Sequence, residues 1–314
     1  MSTEIKTMTA LIRRETWEHR SFWLVPTVVA SLLTFGLLRM GAELLSGDHA
    51  HDIARLNEKL AAKIELGSFM ARTDAAATAF AGTAAPFAII MAFVCFFYLL
   101  DSLYGDRRDR SVLFWRSMPV SDRETVFAKL LTGVLVGPLT TLCVLMGAWV
   151  VWSGIVALFG AAFGFDYWWI GLNPLAWAKA FLMLLAVHAG FMLIVSPFIG
   201  WVLLASSWAP RAPFLWAFLP PLGLALFEEM FLDSNRFLQT IGRHFETLVP
   251  QLFEVHSVRD VALQGDGYKV SLGPAFELSA SYLAEPRLWV GVALSAAFVT
   301  GAIWMRRYRD DAAY

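Results

Sequence analysis

Residues 101–129 read DSLYGDRRDRSVLFWRSMPVSDRETVFAK and form a polar island between two long apolar runs. The island carries Arg107, Arg108, Arg110, Arg116 and Arg123. Because short loops rich in arginine and lysine stay on the cytoplasmic side of a membrane, this stretch predicts a cytoplasmic loop between two spans. The apolar residues 112–115 would not be needed in a merely solvated loop. We therefore expect a short structured element with an apolar surface there.

The composition is that of an integral membrane protein. Of the 314 residues, 58% are hydrophobic and only 16% are charged, whereas a soluble domain is about 45–50% apolar and about 25% charged. The net charge of −1 gives no indication of a nucleic-acid partner, and none is expected. Cys95 and Cys143 both lie inside apolar runs, so they are poor candidates for a disulfide or a metal site.

The apolar runs predict an all-α fold, with one transmembrane domain over residues 1–314 and six membrane-spanning helices. The predicted spans are 21–38, 79–103, 126–159, 178–206, 213–232 and 288–305. Such runs are long enough to cross a hydrocarbon core of about 30 Å. The third uncharged run, residues 130–165, is too long for one perpendicular helix and too short for two.

Two segments outside the spans have patterns of their own. In residues 3–20, Ile5, Met8, Leu11 and Ile12 fall on one helical face, which predicts an interfacial helix; the alternative is a simple polar tail. Residues 233–287 are predicted to be a small external α/β segment. Its helix is indicated by the spacing of apolar residues over 237–248, and its hairpin by the sequence QGDGYKV at 264–270.

The basic residues predict the orientation of the spans. With six spans, both termini lie on the same side as the segment 104–125, together with the turn containing Arg211. The C-terminal side of the last span carries Arg306, Arg307 and Arg309. The positive-inside rule then predicts that both termini lie in the cytoplasm. The expected location of the chain is the plasma (cell inner) membrane.

Three ionisable residues in or beside the spans are candidates for a pathway or cavity: His188, Glu228 and Glu229. His188 is either a ligand or proton relay, or a hydrogen-bonded packing residue. The glutamate pair begins an intramembrane protease motif, Glu-Glu-x-x-x-Arg, but Asp233 stands where the arginine belongs. The pair therefore either lines a polar cavity or reaches water at the membrane interface.

Within the island, Gly105 is predicted to end a helix and Asp106 to cap a short helix over residues 107–116. Ser117–Val120 would break that helix, and Ser121 with Glu124 forms a capping-box pattern before the third span. A rigid, charged and partly apolar element of this kind suits docking into a groove of a cytoplasmic partner. The alternative is a topology anchor that contacts only lipid head groups.

Residues 106–129 resemble the segment between spans two and three of type-2 ATP-binding-cassette (ABC) transporter permeases. The Ser-Met-Pro-Val-Ser core, residues 117–121, with Lys129 is the most specific part. In that family the segment is the coupling helix that contacts the ATPase subunit. Carried over by position, the ATPase interface would comprise Arg107, Arg108, Asp109, Arg110, Leu113, Phe114, Trp115, Met118, Pro119, Asp122 and Glu124.

The resemblance implies the membrane-spanning permease subunit of an ATP-driven exporter, which dimerises and pairs with separate ABC ATPase subunits. The chain itself would not be catalytic and would hold no cofactor, since it has no P-loop and ATP and Mg²⁺ would be bound by the partner. One alternative is an ATPase-coupled signalling or assembly factor that acts through residues 233–287. Intramembrane hydrolysis and proton-coupled transport are further alternatives, each of which dispenses with an ATPase partner.

Overall fold

The computed structural model describes residues 3–46, 69–109, 120–162, 173–254 and 283–309. Over these ranges the chain is helical and contains no strand. The hairpin predicted at 264–270 lies outside the described residues, so the α/β character of the external segment is not addressed by them.

Eleven helices are described, and their bounds are as follows. They are α1 (Thr3–Glu18), α2 (Ser21–Ser46), α3 (Phe69–Gly82), α4 (Ala85–Arg108), α5 (Asp122–Leu131), α6 (Gly137–Ala162), α7 (Pro174–Ile194), α8 (Ser196–Trp208), α9 (Pro213–Leu232), α10 (Arg236–Glu254) and α11 (Pro286–Arg309). A π-helical segment, Thr132–Val136, joins α5 to α6. Helices α1 and α10 are present where the periodicity of the sequence predicts helices.

Six helical stretches in the described part of the chain are long and apolar enough to cross a membrane. They are Ser21–Leu44, Ala76–Arg108, Asp122–Ala162, Pro174–Ile194, Pro213–Leu232 and Pro286–Tyr308. The prediction of six membrane-spanning helices is confirmed in the described ranges, by the length and the composition of these stretches.

The third stretch is one continuous helix from Asp122 to Ala162, interrupted in its hydrogen-bond pattern by the π-helical segment. This segment brings neighbouring helices very close. A Cβ atom added at Gly137 would lie 2.6 Å from the Phe22 ring, and one at Gly133 would lie 2.9 Å from Leu99. π-helical turns are frequent at functional sites. Helices α2 and α4 pack closely against this one.

The fourth predicted span is broken in the structure. Helix α7 ends at Ile194 and α8 begins at Ser196, with Val195 between them. Pro197 lies in the first turn of α8, where its missing N–H and its ring prevent an uninterrupted helix. The break allows α8 to pack extensively against both α11 and α4.

Two main apolar cores stabilise the bundle. One lies around α4, α8 and α11 and includes Leu103, Val202, Leu203 and Ala302. The other joins α3, α6 and α7 and is centred on the buried Trp149. A small third cluster of Ile194, Leu248 and Leu288 packs α10 against α7 and α11.

The crossing of α8 and α11 depends on Gly200. A Cβ atom there would lie 2.8 Å from Ser295 Oγ and 2.9 Å from the Ser295 backbone. We expect Gly200→Ala to destabilise the protein by about 1–3 kcal/mol, because the backbone of α11 must move. The measurement is the unfolding free energy in mixed micelles. The matched control is Gly147→Ala, where an added Cβ meets nothing within 4 Å; an equal loss in the control would contradict the close crossing.

Candidate functional site

Six polar side chains form a connected group at one end of the bundle, which we call the charged cluster. In order of contact they are Tyr98, Glu15, Lys129, Asp106, Arg306 and Asp122. They come from α1, α4, α5 and α11, so the cluster joins the two terminal helices to both sides of the polar island. We refer to this end of the bundle as the charged end.

Lys129 lies at the centre of the cluster. Its Nζ donates to Glu15 Oε1 at 3.0 Å and lies 3.3 Å from Asp106 Oδ1. The other Glu15 oxygen, Oε2, accepts from the Tyr98 hydroxyl at 3.0 Å. Both oxygens of the Glu15 carboxylate are therefore engaged inside the protein.

Arg306 continues the cluster toward α5. Its Nη1 donates to Asp106 Oδ2 at 2.9 Å, and its Nε donates to Asp122 Oδ1 at 3.2 Å. The side chains of Lys129, Glu15, Arg306 and Asp106 are only 3–8% exposed. Charges this deeply buried are tolerated only when they are paired and hydrogen-bonded, and every one of these four is.

The local sequence explains why the charges point inward. Each buried charge follows a buried apolar residue by three or four positions, which places both on one helical face. The apolar residues Leu11, Leu103, Val126 and Ala302 precede Glu15, Asp106, Lys129 and Arg306, respectively. Each apolar stripe therefore ends in a charge at the charged end of the bundle.

A further contact attaches the end of α4 to α8. Arg107 Nη2 donates to the backbone carbonyls of Ser206 at 2.8 Å and Ala209 at 2.9 Å. The last carbonyls of a helix lack intrahelical partners and carry a partial negative charge, so a guanidinium there is favourable. The predicted docking residue Arg107 is thus turned toward α8.

The two ends of residues 110–119, which are themselves outside the described residues, are both fixed. On the C-terminal side, Ser121 N donates to Glu124 Oε2 at 2.7 Å, and Glu124 N donates to Ser121 Oγ at 3.2 Å. This confirms the predicted capping box. On the N-terminal side the prediction was wrong: Gly105 does not end a helix, and Asp106 does not cap one.

Helix α4 instead continues through Gly105 to Arg108. The physical reason is tertiary. Asp106 faces inward and binds Lys129 and Arg306, and Arg107 binds the end of α8, so the last turn is held in helical form. The predicted docking helix over 107–116 therefore cannot begin at Arg107.

The remaining predicted interface residues divide into two groups. Arg110, Leu113, Phe114, Trp115, Met118 and Pro119 lie outside the described residues. Arg108 and Asp109 are exposed, with Arg108 Nε 2.9 Å from Asp109 Oδ1. This hydrogen bond from Arg108 holds the pKa of the Asp109 carboxyl below its ordinary value. Asp122 belongs to the charged cluster and Glu124 to the capping box.

The candidate pathway residues have separate partners. His188 Nε2 lies 3.0 Å from the carbonyl oxygen of Val134, within the π-helical segment. Glu228 accepts hydrogen bonds from the backbone N–H groups of Arg236 at 2.9 Å and Phe237 at 2.8 Å. Glu229 is exposed. His188 thus contacts the third span, whereas Glu228 caps the start of α10.

The cap predicts different roles for the two neighbouring glutamates. We expect Glu228→Gln to increase amide hydrogen exchange several-fold over residues 236–240, because a charged acceptor for the first N–H groups of α10 is lost. Glu229→Gln is the matched control and should leave this exchange unchanged. Hydrogen exchange followed by mass spectrometry in detergent makes the comparison. Equal protection in both variants would mean that the cap does not hold α10.

Sequence reasoning did not identify Glu15, Tyr98 or Arg306 as members of a site. A signal was present, since Glu15 follows Leu11 by one turn and therefore lies on the apolar face of an amphipathic helix. Its partner Lys129 is 114 residues away in the chain. No local pattern joins two charges at that separation.

No group of three or more histidine, cysteine, aspartate or glutamate side chains in the described ranges is arranged to hold a metal ion. The three carboxylates of the charged cluster are instead bound by an ammonium and a guanidinium. Comparisons with models of protein families, with curated proteins and with solved structures give no match to this chain.

Proposed function

We propose that this chain is the membrane-spanning permease subunit of an ATP-driven exporter of the type-2 ABC class. It would form a dimer, bind separate cytoplasmic ATPase subunits through residues 106–124, and undergo rearrangement of its spans when the partner hydrolyses ATP. The charged end would then face the cytoplasm together with both termini. The external segment, which includes α10, would lie on the opposite side.

The observation that carries this proposal is the way in which Arg306 holds the two ends of the polar island. One guanidinium binds Asp106 before residues 110–119 and Asp122 after them. A loop that only anchored topology would not need both of its ends tied to a buried ion-pair network. A loop that transmits force does, because a push on a loosely attached segment would move the segment and not the spans.

The second support is the continuity between the island and the bundle. Arg107 attaches the end of α4 to the end of α8, and α8 packs against α11. Displacement of the island would therefore move α4, α5, α8 and α11 together. These contacts give the resemblance of residues 106–129 a physical counterpart, in which docking at one end acts on four helices.

The test is co-purification, in detergent, of this chain with an ABC ATPase from the cells that express it. We expect the ATPase, identified by its P-loop sequence and its ATP hydrolysis, to co-purify with the wild type. It should be lost from a variant in which Arg108, Phe114 and Trp115 are all replaced by alanine.

The matched control replaces Arg243, Phe231 and Trp289 by alanine. These are the same residue types, exposed away from the charged end. If the ATPase binds the island variant as well as it binds this control, the island is not the interface. If the intact, monodisperse wild type binds no ATPase, the permease function is wrong.

A second candidate function is ATPase-coupled signalling or assembly without movement of a cargo. One observation favours it: His244 Nε2 on α10 lies 2.9 Å from the Ile194 carbonyl oxygen, at the break between α7 and α8. Motion of α8 would thereby reach the external helix. If signalling is the function, replacing His244 with alanine should abolish the cellular response that depends on this chain, while ATP hydrolysis by the partner persists. If the chain is an exporter, the same variant should retain efflux.

A further inference from the structure

A groove of about 430 Å³ lies between the turn that joins α1 to α2 and the outer side of α4. It shares Tyr98 with the charged cluster but includes none of the charged side chains of that cluster. One end of the groove is polar, with His19, Ser21 and Asp101; along α4 the wall is apolar, with Ile90, Phe93 and Phe97. Phe93 and Phe97 are 61% and 54% exposed, so this wall faces the surroundings of the bundle.

The length of the groove fits one leaflet of a bilayer. Asp101 lies about 16 Å from Ile90 along the helix axis, at 1.5 Å per residue. Half of a hydrocarbon core of about 30 Å is about 15 Å. With Asp101 at the depth of the head groups, the apolar wall extends over the depth occupied by an acyl chain.

Arg108, which lies just outside the lining of the groove, places an opposite charge beside Asp101 at the polar end. Asp101 Oδ1 lies 3.6 Å from Arg108 Nη1, and both side chains are about half exposed (49% and 54%). An exposed pair of this kind contributes little to stability, so its partners can be exchanged at low cost. A carboxylate beside a guanidinium is complementary to a head group that carries an ammonium beside a phosphate.

We propose that this groove binds a phospholipid with a zwitterionic, amine-bearing head group from the leaflet at the charged end. The ammonium would be bound by Asp101, the phosphate by Arg108, and an acyl chain would lie along Phe93 and Phe97. The site requires only that the chain spans a bilayer. It is independent of the proposed transport function, and the failure of either would leave the other standing.

The bound lipid would have a mechanical role. His19 packs edge-on against Tyr98, with ring centroids 4.7 Å apart, and Tyr98 donates to Glu15. A lipid in the groove therefore contacts the same two side chains that join α1 to α4. Occupancy should stabilise the attachment of α1 to the bundle.

The test uses delipidated protein and native mass spectrometry with dioleoyl phosphatidylethanolamine and dioleoyl phosphatidylglycerol, which share acyl chains and differ in the amine. We expect wild type to retain the ethanolamine lipid preferentially. Asp101→Asn should lower that preference by about tenfold, as expected for loss of a hydrogen bond to a charged group. Asp101→Glu should largely preserve it.

Two controls separate the groove from general effects. Glu229→Gln removes an exposed carboxylate at the other end of the bundle and should retain the wild-type preference. Phe97→Ala should reduce retention of both lipids, whereas Phe231→Ala, at an exposed phenylalanine on α9, should not. Size-exclusion profiles confirm that each variant is folded.

Three results would overturn the proposal. The first is a wild type that retains both lipids equally, and the second is an Asp101→Asn variant whose preference matches wild type. The third is formation of disulfide-linked dimers in bilayers by Phe93→Cys in a background in which Cys95 and Cys143 are alanine. That outcome would make the groove a contact between two copies of this chain.

Discussion

Replacement of Lys129 by alanine is expected to lower the free energy of unfolding by about 3–5 kcal/mol. The substitution removes two ion pairs at once, to Glu15 at 3.0 Å and to Asp106 at 3.3 Å. Glu15 is only 4% exposed, so water cannot replace the lost ammonium. The measurement is equilibrium unfolding in mixed micelles, with the fraction of monodisperse protein after heating as a second readout.

A matched control lies on the same helix. Arg123 is exposed, and Arg123→Ala should change stability by no more than about 0.5 kcal/mol. A double variant, Glu15→Gln with Lys129→Met, should recover more than half of the loss, because both members of a buried pair are then neutral. If Lys129→Ala is as stable as Arg123→Ala, the charged cluster is not part of the folded state.

Much of the fold could be predicted from local patterns. The six spans follow from runs of apolar residues, since a bilayer imposes one length and one composition on every helix that crosses it. The capping box of Ser121 and Glu124 was predicted because both partners lie within one turn. The same holds for α10, where apolar residues recur at helical spacing.

The break at Val195 could not be predicted in the same way. The sequence contains Pro197 within an uninterrupted apolar run, and proline inside such a run can kink a helix or end it. Which of these occurs depends on the partners found by the backbone groups that lose their hydrogen bonds within the helix. Here the carbonyl oxygen of Ile194 lies 2.9 Å from His244 Nε2, on a helix that begins only at Arg236.

The charged end was the least predictable part of the molecule. Gly105 followed by Asp106 is a reasonable signal for a helix end and a new cap, yet the helix continues through both residues. Both residues are helical because Asp106 is bound by Lys129 and Arg306, from two other helices. Tertiary ion pairs thus override a local signal worth about 1 kcal/mol.

The same fact changes how residues 106–124 should be understood. Arg107 and Asp122 were assigned to a docking surface, but they hold the island to the bundle. Among the predicted interface residues in the described part of the chain, only Arg108 and Asp109 are exposed and take part in neither the charged cluster nor the capping box. On the proposed function, the two ends of the segment would pass a displacement on to the helices that they bind.

Arg306→Lys is expected to show that Arg306 affects the transfer of motion from the polar island to the spans more than it affects stability. Lysine keeps the positive charge but has one ammonium in place of the rigid guanidinium that binds Asp106 and Asp122 through different nitrogens. We expect a moderate loss of about 1.5–3 kcal/mol, as for one hydrogen bond to a charged group. If the proposed function holds, the folded variant should still bind the ATPase, because the exposed residues Arg108 and Asp109 are unchanged.

On the proposed function, the expected effect is that ATP hydrolysis by the partner no longer moves the spans. Met230→Cys, at an exposed position on α9, should change its rate of maleimide labelling on addition of ATP in the wild-type complex, in a background in which Cys95 and Cys143 are alanine. That change should disappear in Arg306→Lys and persist in Arg307→Lys, the exposed neighbour on α11. If labelling in Arg306→Lys responds as in wild type, Arg306 serves stability alone, because a single ammonium cannot hold both ends of the island.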